Sequence, residues 1–332
     1  MEKDKKLKAS KNVFGAIMLV LNVIIPLNLV LCADTVLFVI FLTGGFIASC
    51  LSYSLVKAPA VIVSQVTGAV LVLLLIPSAF SLACSVLTVP VGIAFLFVKR
   101  NKISKGVAVS IGAAAASAVL IGYFLIRTYI AQGQITPTAI VSTYDGFFDI
   151  IRASICSSSK VEVAGVVVPL VSVEGADKYL YSMIGIAPGI IFTFLSFVGF
   201  FASWFVKKIC NLFSCSDSEF KFWRLKPSPI TAILFVVSLV LSSLLGGSDA
   251  VSFTAVNLTL MLFPLLFMAG LSSAFEYRII NGIRLPRLLR PALLILALFL
   301  GTGLFIGACL MFGVYDSIKS ALPKRKINND QG

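Results

Sequence analysis

Apolar runs of about twenty residues recur nine times along this chain, and that repetition decides its fold class. A helix needs roughly 20 apolar residues to cross the hydrocarbon of a bilayer. Within lipid every backbone N–H and C=O must be satisfied by the protein itself, which leaves helices or a closed barrel. Barrel strands alternate apolar and polar residues, and runs such as 13–31 or 183–206 do not. The chain therefore reads as an all-α, polytopic transmembrane helical bundle of about nine spans. Only 12% of its 332 residues are charged, against roughly 25% in soluble domains.

Five runs precede a polar stretch and four follow it. Residues 1–126 read as an N-terminal bundle of five spans (13–31, 35–56, 59–76, one ending at Val98, and 106–126). Residues 127–182 read as an extracytoplasmic amphipathic segment. Residues 183–332 read as a C-terminal bundle (183–206, 229–245, 251–274 and 291–313) with a basic tail. The lysine-rich start followed by an apolar run has the look of a secretory signal. That run is long, however, a second follows at once, and Leu31 is too large for the small residue a cleavage site wants, so an uncleaved first helix is expected. Pro26 and Pro90 should bend the first and fourth spans.

In the central stretch Ile140, Tyr144, Phe147, Ile151 and Ile155 fall on one helical face. Ser142, Asp145, Asp149 and Arg152 fall on another, as in a helix lying along a bundle or an interface. Residues 166–173 are apolar but too short to span, and should be re-entrant or packed in an extended form.

The formal net charge is +13, carried in short clusters between apolar runs. This placement is the positive-inside pattern of cytoplasmic loops rather than a nucleic-acid footprint. With the N-terminus cytoplasmic, 19 of the 27 Lys and Arg residues lie inside. The eight outside are the four of the central segment together with Lys319, Lys324, Arg325 and Lys326. The expected location is the plasma membrane of a bacterium, with membrane lipid and further membrane or ATPase subunits as partners and no nucleic acid.

There is no histidine, which removes the commonest general base and most catalytic metal sites. There is no GxxxxGK[ST] phosphate loop. Asp145 and Asp149, one turn apart, read as a solvated face. The seven cysteines are scattered and mostly within spans, where Cys behaves as a small hydrophobe. No enzyme, no metal and no cofactor is expected.

What remains are uncharged polar residues inside spans: Asn22, Asn28, Gln65, Thr67 and Asn257, with Thr254 beside them. An amide in hydrocarbon needs a partner. These residues therefore either bond between helices or line a pocket for a small neutral solute. Helix packing is assigned to Gly106, Ser110, Ala114, Ala118 and Gly122 at four-residue spacing, and to Gly303 and Gly307. The function expected is a small-solute-binding transport component that works with a partner. The alternative is a membrane scaffold or regulatory protein that binds partners through its basic cytoplasmic loops.

Trp223-Arg224-Leu225 before Pro227, a following span, Asn257, Gly270 and a basic loop, then Gly313 and Asp316 form one layout. That layout resembles the YybS-like family of predicted bacterial multi-pass membrane proteins. In helix arrangement the chain is also distantly similar to the substrate-binding subunits of energy-coupling-factor transporters. The first resemblance implies a membrane protein with no residue roles attached; the second implies capture of a small solute for an ATPase partner.

Overall fold

The computed structural model describes residues 2–33, 35–99, 105–158, 160–163, 166–169, 172–212, 227–245, 250–276 and 302–319. Its helices are α1 (Glu2–Leu31), α2 (Leu37–Leu55), α3 (Ala58–Leu75), α4 (Ala79–Leu87), α5 (Val89–Lys99), α6 (Lys105–Gln132), α7 (Pro137–Thr143) and α8 (Asp145–Ser158). A short hairpin, β1 (Lys160–Val163) and β2 (Val166–Pro169), leads to α9 (Val173–Leu212), α10 (Pro229–Leu244), α11 (Ala250–Glu276) and α12 (Thr302–Lys319).

Seven stretches are helical, long and apolar enough to cross a membrane, with α4 and α5 counted as one. The chain is thus an integral, multi-pass helical membrane protein. Helix α10 is also apolar but has only 16 residues. The last run, expected at 291–313, lies partly outside the described residues; within them its place is taken by α12, which continues to Lys319. The basic loops around 213–226 and 277–301, with Trp223, and the tail beyond 319 also lie outside the described residues.

The all-α expectation holds, with one short hairpin added to it. β1 and β2 pair antiparallel, with Lys160 opposite Pro169 and Val163 opposite Val166. The apolar run after 165 is rich in β-branched valine, which packs well on a pleated surface. The amphipathic segment also differs from a single helix. It breaks at Tyr144 (φ −121°, ψ 35°) into α7 and α8. Thr136 caps α7 by accepting from Ala139 N–H. The break re-aims the apolar face, so Phe148 is 8% exposed while the expected Phe147 is 62% exposed. Finally, α9 runs unbroken through residue 182, so polar segment and sixth span share one helix of 40 residues.

The bundle's two ends differ in charge. Helices α6 and α9 pack antiparallel, with Gly199 against Val109, which brings Lys105 and Lys208 to one end. Gly15 meets Val56 where α1 begins and α2 ends, so Lys11 and Lys57 lie at that end too. Lys208 Nζ sits 4.1 Å over the Trp204 ring, an arrangement suited to a membrane interface. The opposite end carries α7 and α8.

Two lipid-immersed helices gain nothing from water exclusion, so their association rests on close packing and hydrogen bonds. At the crossing of α11 and α12, Gly270 and Gly313 let the backbones touch. A Cβ on Gly270 would lie 2.7 Å from the Cys309 carbonyl carbon and 2.8 Å from Gly313 N. On α6 the close approach is made by Gly112, whose Cβ would meet Val91 Cα at 2.8 Å. The expected packing residues are placed otherwise. Ala114 and Ala118 are exposed, Ser110 and Gly122 half-buried, and Gly106 buried. No described atom lies within 4 Å of a Cβ built on Gly122, Gly303 or Gly307. The buried face of α6 is one residue removed, at Ala108, Val109, Ala113 and Ala116. Small residues are equally abundant on both faces.

Candidate functional site

At the end carrying α7 and α8 the bundle forms a half-open cavity of about 990 Å³. Its walls are the end of α1 (Val30, Ala33), the start of α4 (Ser78, Ala79, Phe80), the last turns of α6 (Ile121 to Arg127) and the middle of α9 (Ile184, Ala187, Pro188, Ile191). Ile140, Tyr144, Phe147 and Phe148 of the cap complete it. Only Ser78, Tyr123, Arg127 and Tyr144 bring polar side-chain groups to this lining.

Each wall has a local reason. Ser78 caps α4, accepting from Ser81 N–H at 3.1 Å, so its hydroxyl is held at the rim. Helix α6 continues to Gln132 and stops where Gly133 takes φ +70°, the left-handed conformation glycine adopts without strain. Tyr123 and Arg127, four residues apart, lie on one face of α6. An Arg127 terminal nitrogen donates to Tyr123 Oη at 2.9 Å, and its guanidinium stands 5.2 Å from the Tyr144 ring centre. Phe124 meets Tyr144 edge to face at 5.3 Å. The cap is thus clamped onto the end of α6 through Tyr144. Burial, then the neighbouring Tyr123, holds the Tyr144 phenol above its ordinary pKa, while Arg127 works in the other direction.

A second clamp joins cap to wall. Arg152 of α8 donates to Asp177 of α9 at 2.9 Å and also contacts Asp149 on its own helix. The hydrogen bond to Asp177 raises the already high Arg152 pKa. Asp145 and Asp149 are exposed, and neither lines the cavity.

Pro188 lies within the α9 wall, and Asn257 of α11 bonds the turn around it. In an unbroken helix Gly189 N–H would donate to Gly185 C=O, four residues back. Here Gly189 N–H donates to Asn257 Oδ1 at 2.7 Å, and Asn257 Nδ2 donates to Gly185 C=O at 2.7 Å. One side-chain amide is inserted into another helix's hydrogen-bond ladder, a recognised cause of bending. Thr193 Oγ1 donates to Leu260 C=O one turn further on.

No family model, no curated protein and no solved structure matches the chain.

None of the sequence-predicted binding residues lines the cavity. Asn22 Nδ2 donates to Ser52 Oγ at 2.8 Å, tying α1 to α2. Gln65 Nε2 donates to Ser49 Oγ at 2.9 Å and Gln65 Oε1 accepts from Tyr53 Oη at 3.1 Å, tying α3 to α2. Asn28 donates to Ile24 C=O on its own helix, and Thr254 does likewise to Ala250 C=O. Thr67 is exposed on α3. The buried amides are therefore spent between helices, the first of the two roles expected for them. Sequence reasoning counted Arg127 only as an outer cation; the signal it passed over was the Tyr123–Arg127 pair closing an apolar run.

Among the described residues no group of three or more His, Cys, Asp and Glu side chains could hold a metal ion. The cavity lining offers no carboxylate to act as a general base. What this geometry can do is hold a mainly apolar molecule beside one cation.

Proposed function

We propose that the protein is the binding component of a membrane transport system and captures its ligand in the capped cavity. The observation that carries this reading is the cavity itself. Ligand sites usually span about 300–1,000 Å³ and are largely apolar with a few convergent polar groups. This one has that composition and stands at the top of that range. In this reading the chain crosses a bacterial plasma membrane nine times, with α10 and α12 as the added crossings. The end gathering Lys11, Lys57, Lys105 and Lys208 faces the cytoplasm, which the positive-inside rule supports. The cap faces outward, and a partner subunit supplies the energy for release and transfer.

Native mass spectrometry of the detergent-extracted protein tests the reading. The expected result is a retained small apolar molecule that is lost from Ala187→Trp, whose indole would occupy the cavity, together with a co-isolated subunit. A wild-type protein that retains nothing, with a spectrum unchanged by Ala187→Trp, would return the scaffold as the better account.

A further inference from the structure

We propose that the cavity takes an amphiphile with an anionic headgroup, a phosphate or carboxylate held by Arg127, with its chain lying between α1, α4, α6 and α9. This rests on the reading that the cavity holds a ligand, and it replaces the small neutral solute expected from the sequence with a chemical class.

Three observations converge. Arg127 is the one charged residue in the lining. Among the described residues its partners are the Tyr123 hydroxyl and the Tyr144 ring, with no carboxylate in either role. A guanidinium has five N–H donors in a planar fork matched to phosphate and carboxylate oxygens. One of those donors is used by Tyr123; the rest of the fork suits an anion.

The second observation is depth. Arg127 follows Lys105 by 22 residues on the same helix, a rise of about 33 Å at 1.5 Å per residue. The hydrocarbon core is about 30 Å thick. With Lys105 at one interface, Arg127 stands at the other, where lipid headgroups are found.

The third is the rest of the lining. Val30, Ile121, Leu125, Ile184 and Ile191 offer only hydrocarbon. For a molecule arriving from the bilayer, such walls are no more attractive than lipid tails. Chain contacts then set fit, and the charged contact sets selection. Arg127 is exposed, so a neutral amphiphile would leave the guanidinium fork to water, whereas an anionic one takes it up with charge-assisted hydrogen bonds.

The test uses the full chain in phosphatidylcholine nanodiscs, with thermal stabilisation titrated by three probes. Dodecyl phosphate carries head and chain, dodecanol the chain alone, and inorganic phosphate the head alone. Dodecyl phosphate is expected to bind at least tenfold tighter than dodecanol, and inorganic phosphate to give no shift at the same concentration. Arg127→Gln should erase the tenfold gap between dodecyl phosphate and dodecanol. Arg127→Lys, a point charge without the fork, should keep part of it. Equal affinity for dodecyl phosphate and dodecanol in the wild type overturns the headgroup assignment and leaves the ligand-binding reading standing. Inorganic phosphate binding as tightly as dodecyl phosphate marks a free-anion site and overturns the amphiphile. If neither chain-bearing probe binds, the cavity reading falls and this inference with it. Should Arg127→Gln fail to fold, the wild-type comparison and Arg127→Lys decide the matter.

Discussion

Replacing Asn257 with leucine removes an amide that serves two helices at once. Asn257→Leu keeps similar bulk on α11 but deletes both hydrogen bonds, to Gly189 N–H and from the side chain to Gly185 C=O. Interhelical side-chain hydrogen bonds in membranes average about 0.6 kcal/mol and reach about 1.7 kcal/mol. Two of them, made to backbone groups beside a proline, place the expected loss at about 1–3 kcal/mol. The assay is unfolding by sodium dodecyl sulfate in mixed micelles, followed by tryptophan fluorescence. The control is Thr254→Val, because Thr254 is exposed and bonds only its own helix; its effect should stay within about 0.5 kcal/mol. A double-mutant cycle sharpens the test. In a Pro188→Ala background α9 can close its own ladder, so Asn257→Leu should cost less there than in the wild type. Equal costs in the two backgrounds, or a loss no larger than that of Thr254→Val, would refute the account of Asn257 as an inserted bridge.

Two further outcomes follow from the packing and the cap. Gly270→Ala or Gly313→Ala should destabilise by about 3 kcal/mol, the upper end for overpacking, because the obstacles are backbone atoms that cannot swing away. Gly303→Ala and Gly307→Ala should lie within about 0.5 kcal/mol in the same unfolding assay. Docking of the cap should weaken in alkali. Tyr144 is held above its ordinary pKa, so its contribution is complete below pH about 10 and is lost as pH rises through its folded value. Limited proteolysis of the segment around α8 should accelerate over that window in the wild type. In Tyr144→Phe, which has no phenol to ionise, that acceleration should be absent.

The membrane character was legible in the sequence because twenty-residue apolar runs admit few other structures. The alternation of basic loops was legible for the same reason, since it is counted along the chain. The site was not. Asn22, Gln65 and Asn257 were correctly singled out as amides that need partners, but a sequence cannot say whether the partner is a ligand or another helix. That depends on which residues α2 and α9 present to them: Ser52, Ser49 and Tyr53 in the first two cases, and an opened backbone turn in the third. The cavity is built from elements far apart in the chain. Val30, Phe80, Arg127, Tyr144 and Pro188 come together only once four helices and the break between α7 and α8 have packed. Which face of α6 packs within the chain was hidden for a related reason: neighbouring faces of that helix are almost equally rich in alanine, and the shape of the neighbouring helix chooses between them.

Helix α9 is about 60 Å long at 1.5 Å per residue, twice the thickness of the hydrocarbon, and Pro188 marks off a first arm that reaches back to Val173. Asp177, which grips Arg152 of the cap, lies 11 residues along that arm, about 16 Å from Pro188. Tilting the arm by only about 10° at Pro188 therefore sweeps Asp177 through about 3 Å, roughly the length of a hydrogen bond. The turn at Pro188 is held to α11 by both ends of the Asn257 amide. The Asn257 bonds to Gly185 and Gly189 thus brace the turn from which the arm carrying the Asp177–Arg152 contact extends.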